Sequence, residues 1–249
     1  MISPHSTQYP RVADSLGGLK TAIRSRLSYL LRDRRSRLFA VGDSHSDTLS
    51  RRPRVKIVHL GPVTAYRAGR RGELVRLLVG QLFRASPRWA SPIIIRVMIR
   101  PRDAVLLFFG EIDVRAHFAQ RLTEYGSAEE TARFLAQRLS AEARDLGSRT
   151  GALVGIASVT PPVDLLDDPD LPTRGSPEQR VLWTRLMNQE FAAACQRFGL
   201  VFVDTYERYA NSAGVLLEEV SDGTVHIRQD SAEALFEECL RQFPAIRTS

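Results

Sequence analysis

A chain of 249 residues, 43% hydrophobic and 25% charged, has the makeup of a globular protein with a sizeable core, in one large domain or two small ones. No run approaches ~18 uninterrupted apolar residues, so no transmembrane helix is expected. The net charge of +7 comes almost wholly from arginine, spread along the chain and interleaved with 28 acids, so no nucleic-acid partner is expected.

The stretch Met1 to Pro10 is polar and proline-bearing and lacks the apolar core of a secretory signal, which predicts a cytoplasmic protein. Leu16, Leu19, Ile23, Leu27, Leu30 and Leu31 then recur at helical spacing. They predict an N-terminal helical extension, residues 1–36, ahead of an α/β domain over 37–249. The dense cluster Arg24, Arg26, Arg32, Arg34, Arg35 and Arg37 reads as a solvated helix face in preference to a phosphate- or membrane-facing one. Residues 37–42 form a first strand, and Val55 to Leu60 a second, ended by Gly61-Pro62. Glu73 to Arg84 is helical, and Ser86 to Pro92, with Trp89, is a proline-punctuated loop. Ile93 to Ile99 is open between strand and helix, because a short apolar run has no decisive period. Ala104 to Phe109 is a buried strand ending at Gly110. Ser127 to Leu146 is a helix, opened by Ser127 with Glu130 three residues on and closed at Gly147. Ala152 to Val159 is a strand stopped by Pro161-Pro162. A loop follows from Asp164 to Ser176, then a helix from Pro177 to Phe198 with Gly199 beyond its end. Leu200 to Val203 is a short strand, Ser221 to His226 a polar loop, and Ser231 to Gln242 a terminal helix. Cys195, inside a helical pattern, reads as a free buried thiol; with Cys239 it makes neither a metal spacing nor a disulfide framework.

Strands alternating with helices predict a mostly parallel sheet covered by helices on both faces. Open sheets of this kind bind ligands at the carboxyl ends of their strands. Three polar loops qualify: Gly42-Asp43-Ser44-His45, Gly110-Glu111-Ile112-Asp113 with Arg115 and His117, and Asp222-Gly223-Thr224-Val225-His226. A serine hydroxyl is a poor nucleophile until an imidazole takes its proton, and a carboxylate on the other ring nitrogen fixes the tautomer. Ser44, His226 and Asp222 are the candidates for these roles. Asp43 is expected to shape the turn, and Glu111, Asp113 and His117 to shape the site. Arg115 divides between holding its loop and binding an anionic group. A metal site from Asp43, His45, Asp113 and His117 is the weaker alternative, and no metal or organic cofactor is implied.

These blocks resemble the SGNH, or GDSL-type, hydrolase family. Gly42-Asp43-Ser44 matches the family's serine motif after the first strand, and Asp222 with His226 resembles its late Asp-x-x-His motif. Gly110-Glu111-Ile112-Asp113-Val114-Arg115-Ala116-His117 resembles a bacterial subgroup with a GEID-x-R-x-H block in place of GxND, and His59 to Tyr66 its second block. The likeness runs from about Leu38 to Ile227. It implies a three-layer α/β/α sandwich with a mostly parallel five-stranded sheet, flavodoxin-like and of the SGNH-hydrolase type. It also implies a serine esterase acting on acyl or acetyl esters of carbohydrates or other small metabolites, by hydrolysis or acyl transfer. Gly61, ahead of Thr64 and Ala65, takes the second-block oxyanion position. Two departures stand out. Ile112 replaces the oxyanion-binding Asn, so backbone N–H groups or Arg115 must serve there. Asp222 and His226 are also one residue further apart than the family pattern. The alternatives are a catalytically weak binding protein of the same fold, or a nucleic-acid or membrane binder using the arginine cluster.

Overall fold

The computed structural model describes residues 35–82, 95–96, 98–164 and 171–247. The helical extension up to Arg34, with four of its clustered arginines, the 86–92 loop with Trp89, and residues 165–170 lie outside the described residues.

Five strands, β1 (Leu38–Gly42), β2 (Val55–His59), β3 (Ala104–Phe108), β4 (Leu153–Ala157) and β5 (Val201–Val203), form one sheet in the order β2-β1-β3-β4-β5. Every pairing is parallel, with Leu38 opposite Val55 on one side and Ala104 on the other. The two central strands read LFAVG and AVLLF and are buried at every position. Such apolar runs are what a strand covered on both faces needs.

Side chains alternate across a strand, so each strand feeds two cores. Phe39, Val41, Val105, Leu107, Val154 and Ile156 share one core with residues of α1 (Glu73–Leu82), α3 (Ala128–Thr150) and α4 (Pro177–Phe198). Leu38, Ala40, Leu106, Phe108 and Val203 share the other with Leu49 and with Leu235 and Phe236 of α5 (Glu233–Gln242). The result is the expected three layers. A further helix, α2 (Phe118–Tyr125), precedes α3.

Local chemistry sets the helix limits. Ser127 Oγ accepts from the Glu130 N–H, and Ser176 with Gln179 completes a capping box before Pro177. α3 runs past the expected stop at Gly147 to Thr150, because Gly151, at φ 73°, takes the left-handed closing position. Of the ambiguous apolar run, Ile95, Arg96 and Met98 are helical, and residues 93, 94 and 97 lie outside the described residues.

The strand order reverses between β1 and β3, the switch point at which open α/β sheets leave a crevice. Gly42 makes the junction there. A Cβ on it would lie 2.1 Å from the Phe108 carbonyl oxygen, a backbone atom that cannot swing aside. Gly42→Ala is therefore expected to cost about 2 kcal/mol, seen as a lower urea midpoint. An unchanged midpoint would mean that β1 and β3 part without penalty.

Candidate active site

Beyond Gly42 the chain turns into a short 3-10 helix, Ser44–Leu49. Asp43 builds that turn: its Oδ1 accepts from the His45 N–H at 3.0 Å, and its carbonyl accepts from the Ser46 N–H and hydroxyl. Ser44 holds the first helical position, where backbone N–H groups have no acceptor within the helix. Its side chain is half-buried and is not used for capping.

His226 reaches the serine from a segment 182 residues away, with Ser44 Oγ 2.7 Å from His226 Nε2. The loop carrying His226 is closed by an antiparallel bridge between Ser221 and Ile227 and by the Asp222 N–H donating to the His226 carbonyl at 3.1 Å. Gly223, at φ 91°, supplies the left-handed turn. This closure brings Asp222 and His226 face to face despite their wider spacing. Asp222 Oδ2 lies 3.3 Å from His226 Nδ1. Thr224 fills the gap. Its hydroxyl donates to Asp222 Oδ1 at 2.6 Å and sits 2.9 Å from His226 Nδ1. With its own proton given to the carboxylate, the Thr224 oxygen accepts from Nδ1–H. The proton is thereby assigned to Nδ1, and the Nε2 lone pair faces the Ser44 hydroxyl.

Electrostatics agree with this protonation. Burial, and next the charge of His45, hold the His226 imidazole below its ordinary value. Burial alone would raise the Asp222 carboxyl, but its Thr224 hydrogen bonds and the adjacent His226 hold it low.

The loop after β3 carries the other expected residues. Gly110, at φ 114°, lets the chain pass against Val159, and residues Asp113–His117 form a single π-helical turn. Asp113 is fully buried and caps the short helical turn Ala65–Ala68, accepting from the Ala65 N–H at 2.5 Å and the Tyr66 N–H at 3.3 Å, with Arg121 at 2.9 Å. Burial pushes this carboxyl up to about 6, against the pull of Arg121 and of those two N–H groups. Arg115 is buried, grips Glu111 at 2.5 and 3.2 Å, and donates to the Pro172 carbonyl at 2.9 Å. All these partners are protein groups that shape the loop. His117 closes the π turn, held low by burial and by Arg121, Arg174 and Arg115. Among the described residues no three His, Cys, Asp or Glu side chains are grouped as metal ligands. Asp43 is paired with His45, and Asp113 with Arg121.

The pairing of β2 with β1 continues one step past the strands, with the Leu60 N–H donating to the Gly42 carbonyl at 2.7 Å. Gly61 follows at φ 76°, with open space where a Cβ would stand. An open cleft of about 550 Å3 adjoins the serine and histidine, lined chiefly by polar groups including Asp47, Arg51, Asp222, Arg228, Gln229 and Asp230. Two further residues, Thr224 and His45, belong to this arrangement. Thr224 carried no signal beyond lying between Asp222 and His226. His45 enters the sequence pattern only through the four-residue metal alternative, although an ionisable residue beside a candidate nucleophile is itself a signal.

No protein-family model matches this chain, and no curated protein matches it. Solved structures do. One, from Streptococcus pneumonia and provisionally described as a platelet activating factor, is 14% identical, with 94% of this chain and all of that chain covered at a TM-score of 0.54. Another, provisionally described as an acylhydrolase, from Bacteroides fragilis, is also 14% identical, with 90% and 96% covered at a TM-score of 0.52. The fold is shared across nearly the whole chain.

Proposed function

We propose that this chain is a serine ester hydrolase of the SGNH type, with Ser44 as nucleophile, His226 as base and Asp222 as the group that orients it. The observation that carries the reading is the Ser44 Oγ to His226 Nε2 contact of 2.7 Å, backed at Nδ1 by Thr224 and Asp222. In attack on an ester carbonyl, the Ser44 hydroxyl proton passes to Nε2 while Oγ bonds to carbon. The resulting imidazolium is held by Asp222 Oδ2 and the Thr224 oxygen. Collapse expels the alcohol, which takes the proton from Nε2 and leaves an acyl-serine. Water activated by the same nitrogen completes hydrolysis, and a sugar hydroxyl in its place completes transfer.

Developing negative charge on the carbonyl oxygen falls to backbone N–H groups of Ser44 and Gly61. Ile112 has no side-chain donor to add, and Arg115 is committed to Glu111 and Pro172. One missing donor lowers a rate by roughly 100- to 1,000-fold, so turnover is expected to be modest. The polar lining of the cleft supports an ester of a polar alcohol, such as an acylated carbohydrate or small metabolite. Labelling by a fluorophosphonate probe, followed by release of acetate from acetylated sugars, tests this reading. A folded chain that takes up no probe would sink it.

Asp222 is a partial support, because it is 39% exposed and shares Nδ1 with Thr224. Asp222→Ala is expected to lower kcat by about 100- to 1,000-fold, less than full loss of a buried triad carboxylate. Thr224→Val, which removes the bridging oxygen and keeps the shape, is expected to cost about 10-fold. Steady-state kinetics on p-nitrophenyl acetate reads both, and equal wild-type rates in both variants would leave a bare Ser-His dyad.

A further inference from the structure

His45 has a place that the hydrolytic reading leaves unused. Its ring is buried, with Nδ1 3.1 Å from Asp43 Oδ1 and Nε2 3.1 Å from the Val225 carbonyl oxygen. A carboxylate and a carbonyl are both acceptors, so both ring nitrogens must carry protons. His45 is then an imidazolium in a closed site. Its charge is balanced locally by Asp43, whose Oδ2 is buried without a hydrogen-bond partner among the described residues. The ring of His45 lies 4.8 Å from that of His226, centroid to centroid, at an interplanar angle of 49°. Val225, which His45 holds by its carbonyl, is the residue immediately before His226.

We propose that His45 is a positioning residue for His226: a standing cation that fastens the base-bearing loop to the serine-bearing turn and keeps the base in its neutral form. The fastening is mechanical. One nitrogen holds Asp43, the cap of the Ser44 turn, and the other holds Val225, so the two loops move together. The charge effect follows from distance, since a second positive ring beside the first is disfavoured. The remaining groups around the pair do not cancel this. Asp222 and Thr224 face His226 from its own loop, and Ser44 faces it from the turn. Glu111 bears on both rings from the loop after β3 but is engaged by Arg115. Across a small cavity, His45 faces the neutral Tyr206 and Tyr209. Burial by itself would lower the His45 ring, yet Asp43 carries it up to about 9, in keeping with a charged ring at neutral pH.

The histidine titrations of the full-length chain decide this, read by imidazole nitrogen NMR between pH 5 and pH 9. His45, assigned by loss of its signals in His45→Gln, is expected to stay doubly protonated through pH 8. His226, assigned likewise in His226→Ala, is expected to titrate below 6.5 in the native chain and about one pH unit higher in His45→Gln. The acid limb of kcat/KM for p-nitrophenyl acetate should move upward with it. His45→Gln then loses more activity at pH 6 than at pH 8, whereas a purely structural loss lowers both alike. A His45 midpoint near 6.5, or a His226 midpoint unmoved by His45→Gln, would overturn the proposal. Should His45→Gln not fold, the native titration still decides the first point. Asp43→Asn, expected to bring the His45 midpoint down and the His226 midpoint up, decides the second, and an unmoved His226 there overturns it. The proposal presumes that His226 is the base for Ser44. If the fluorophosphonate probe fails while the titrations come out as stated, the esterase reading falls and the His45 to His226 coupling stands.

Discussion

Ser44→Ala is expected to lower kcat for ester hydrolysis by about 10,000-fold or more and to abolish fluorophosphonate labelling. The variant is a clean one, because the turn does not depend on the hydroxyl: Asp43, not Ser44, supplies the cap, and Ser46 makes its own bond to the Asp43 carbonyl. Unchanged circular dichroism and an unchanged urea midpoint should accompany the loss. His226→Ala should cost about as much, since an oxygen whose proton has no acceptor is as inert as a missing oxygen. The double variant should be no worse than either single one, because the two atoms act as a unit. Multiplying losses would show that Ser44 and His226 work independently, and the proposed mechanism would fail.

Asp103→Ala is expected to be the most damaging change away from the cleft. The Asp103 side chain is fully buried and accepts six hydrogen bonds. They come from the backbone N–H and guanidinium of Arg37 and of Arg100, the closest being Arg37 Nη2 at 2.8 Å. It thereby ties the starts of β1 and β3, at the amino ends of the strands and so opposite the serine. Removing it takes the carboxylate from two largely buried guanidinium groups, leaving Arg37 the Met98 carbonyl and Arg100 the Arg35 carbonyl as acceptors. A loss of about 3–5 kcal/mol follows, with a fall in Tm of roughly 10 °C for a domain of this size. The pH dependence has a definite sign. Burial would raise this carboxyl, but the Arg100 and Arg37 bonds outweigh it and hold it below 3.8, the ordinary value. Its stabilisation is therefore present above about pH 4 and is lost as the pH falls through the depressed value, so the gap between native and variant should narrow in acid. A gap that stays constant down to pH 2 would show that packing, not charge, carries the loss.

Much of the fold could be read from the chain because its signals are local. Apolar runs such as Leu38 to Gly42 and Ala104 to Phe108 have few uses other than a doubly covered strand. Ser176 before Pro177, with Gly199 at the far end, marks a helix by backbone chemistry alone. Gly147 misled because a glycine stops a helix only where the chain needs a left-handed residue, and Gly151 holds that conformation instead. The candidate site was legible in its parts but not in its wiring. Ser44, Asp222 and His226 stand out by type and position. That Thr224 bridges the wider Asp222 to His226 spacing depends on a loop closed through Ser221 and Ile227, which no local pattern announces. The π turn at Asp113 to His117 is hidden for the same reason: Asp113 looks like a loop acid until the Ala65 and Tyr66 N–H groups, far away in sequence, are found beneath it.

The contact between Ser44 and His226 spans 182 residues, and that span has a kinetic consequence. The serine-bearing turn can form as soon as β1 pairs with β3, but its partner histidine lies on a segment 182 residues further along the chain. Closing so long a loop costs entropy that only the assembled sheet repays. During refolding, helical signal and buried tryptophan should therefore recover before probe reactivity does. On the proposed mechanism the serine is expected to become reactive last, once the chain around it is already folded.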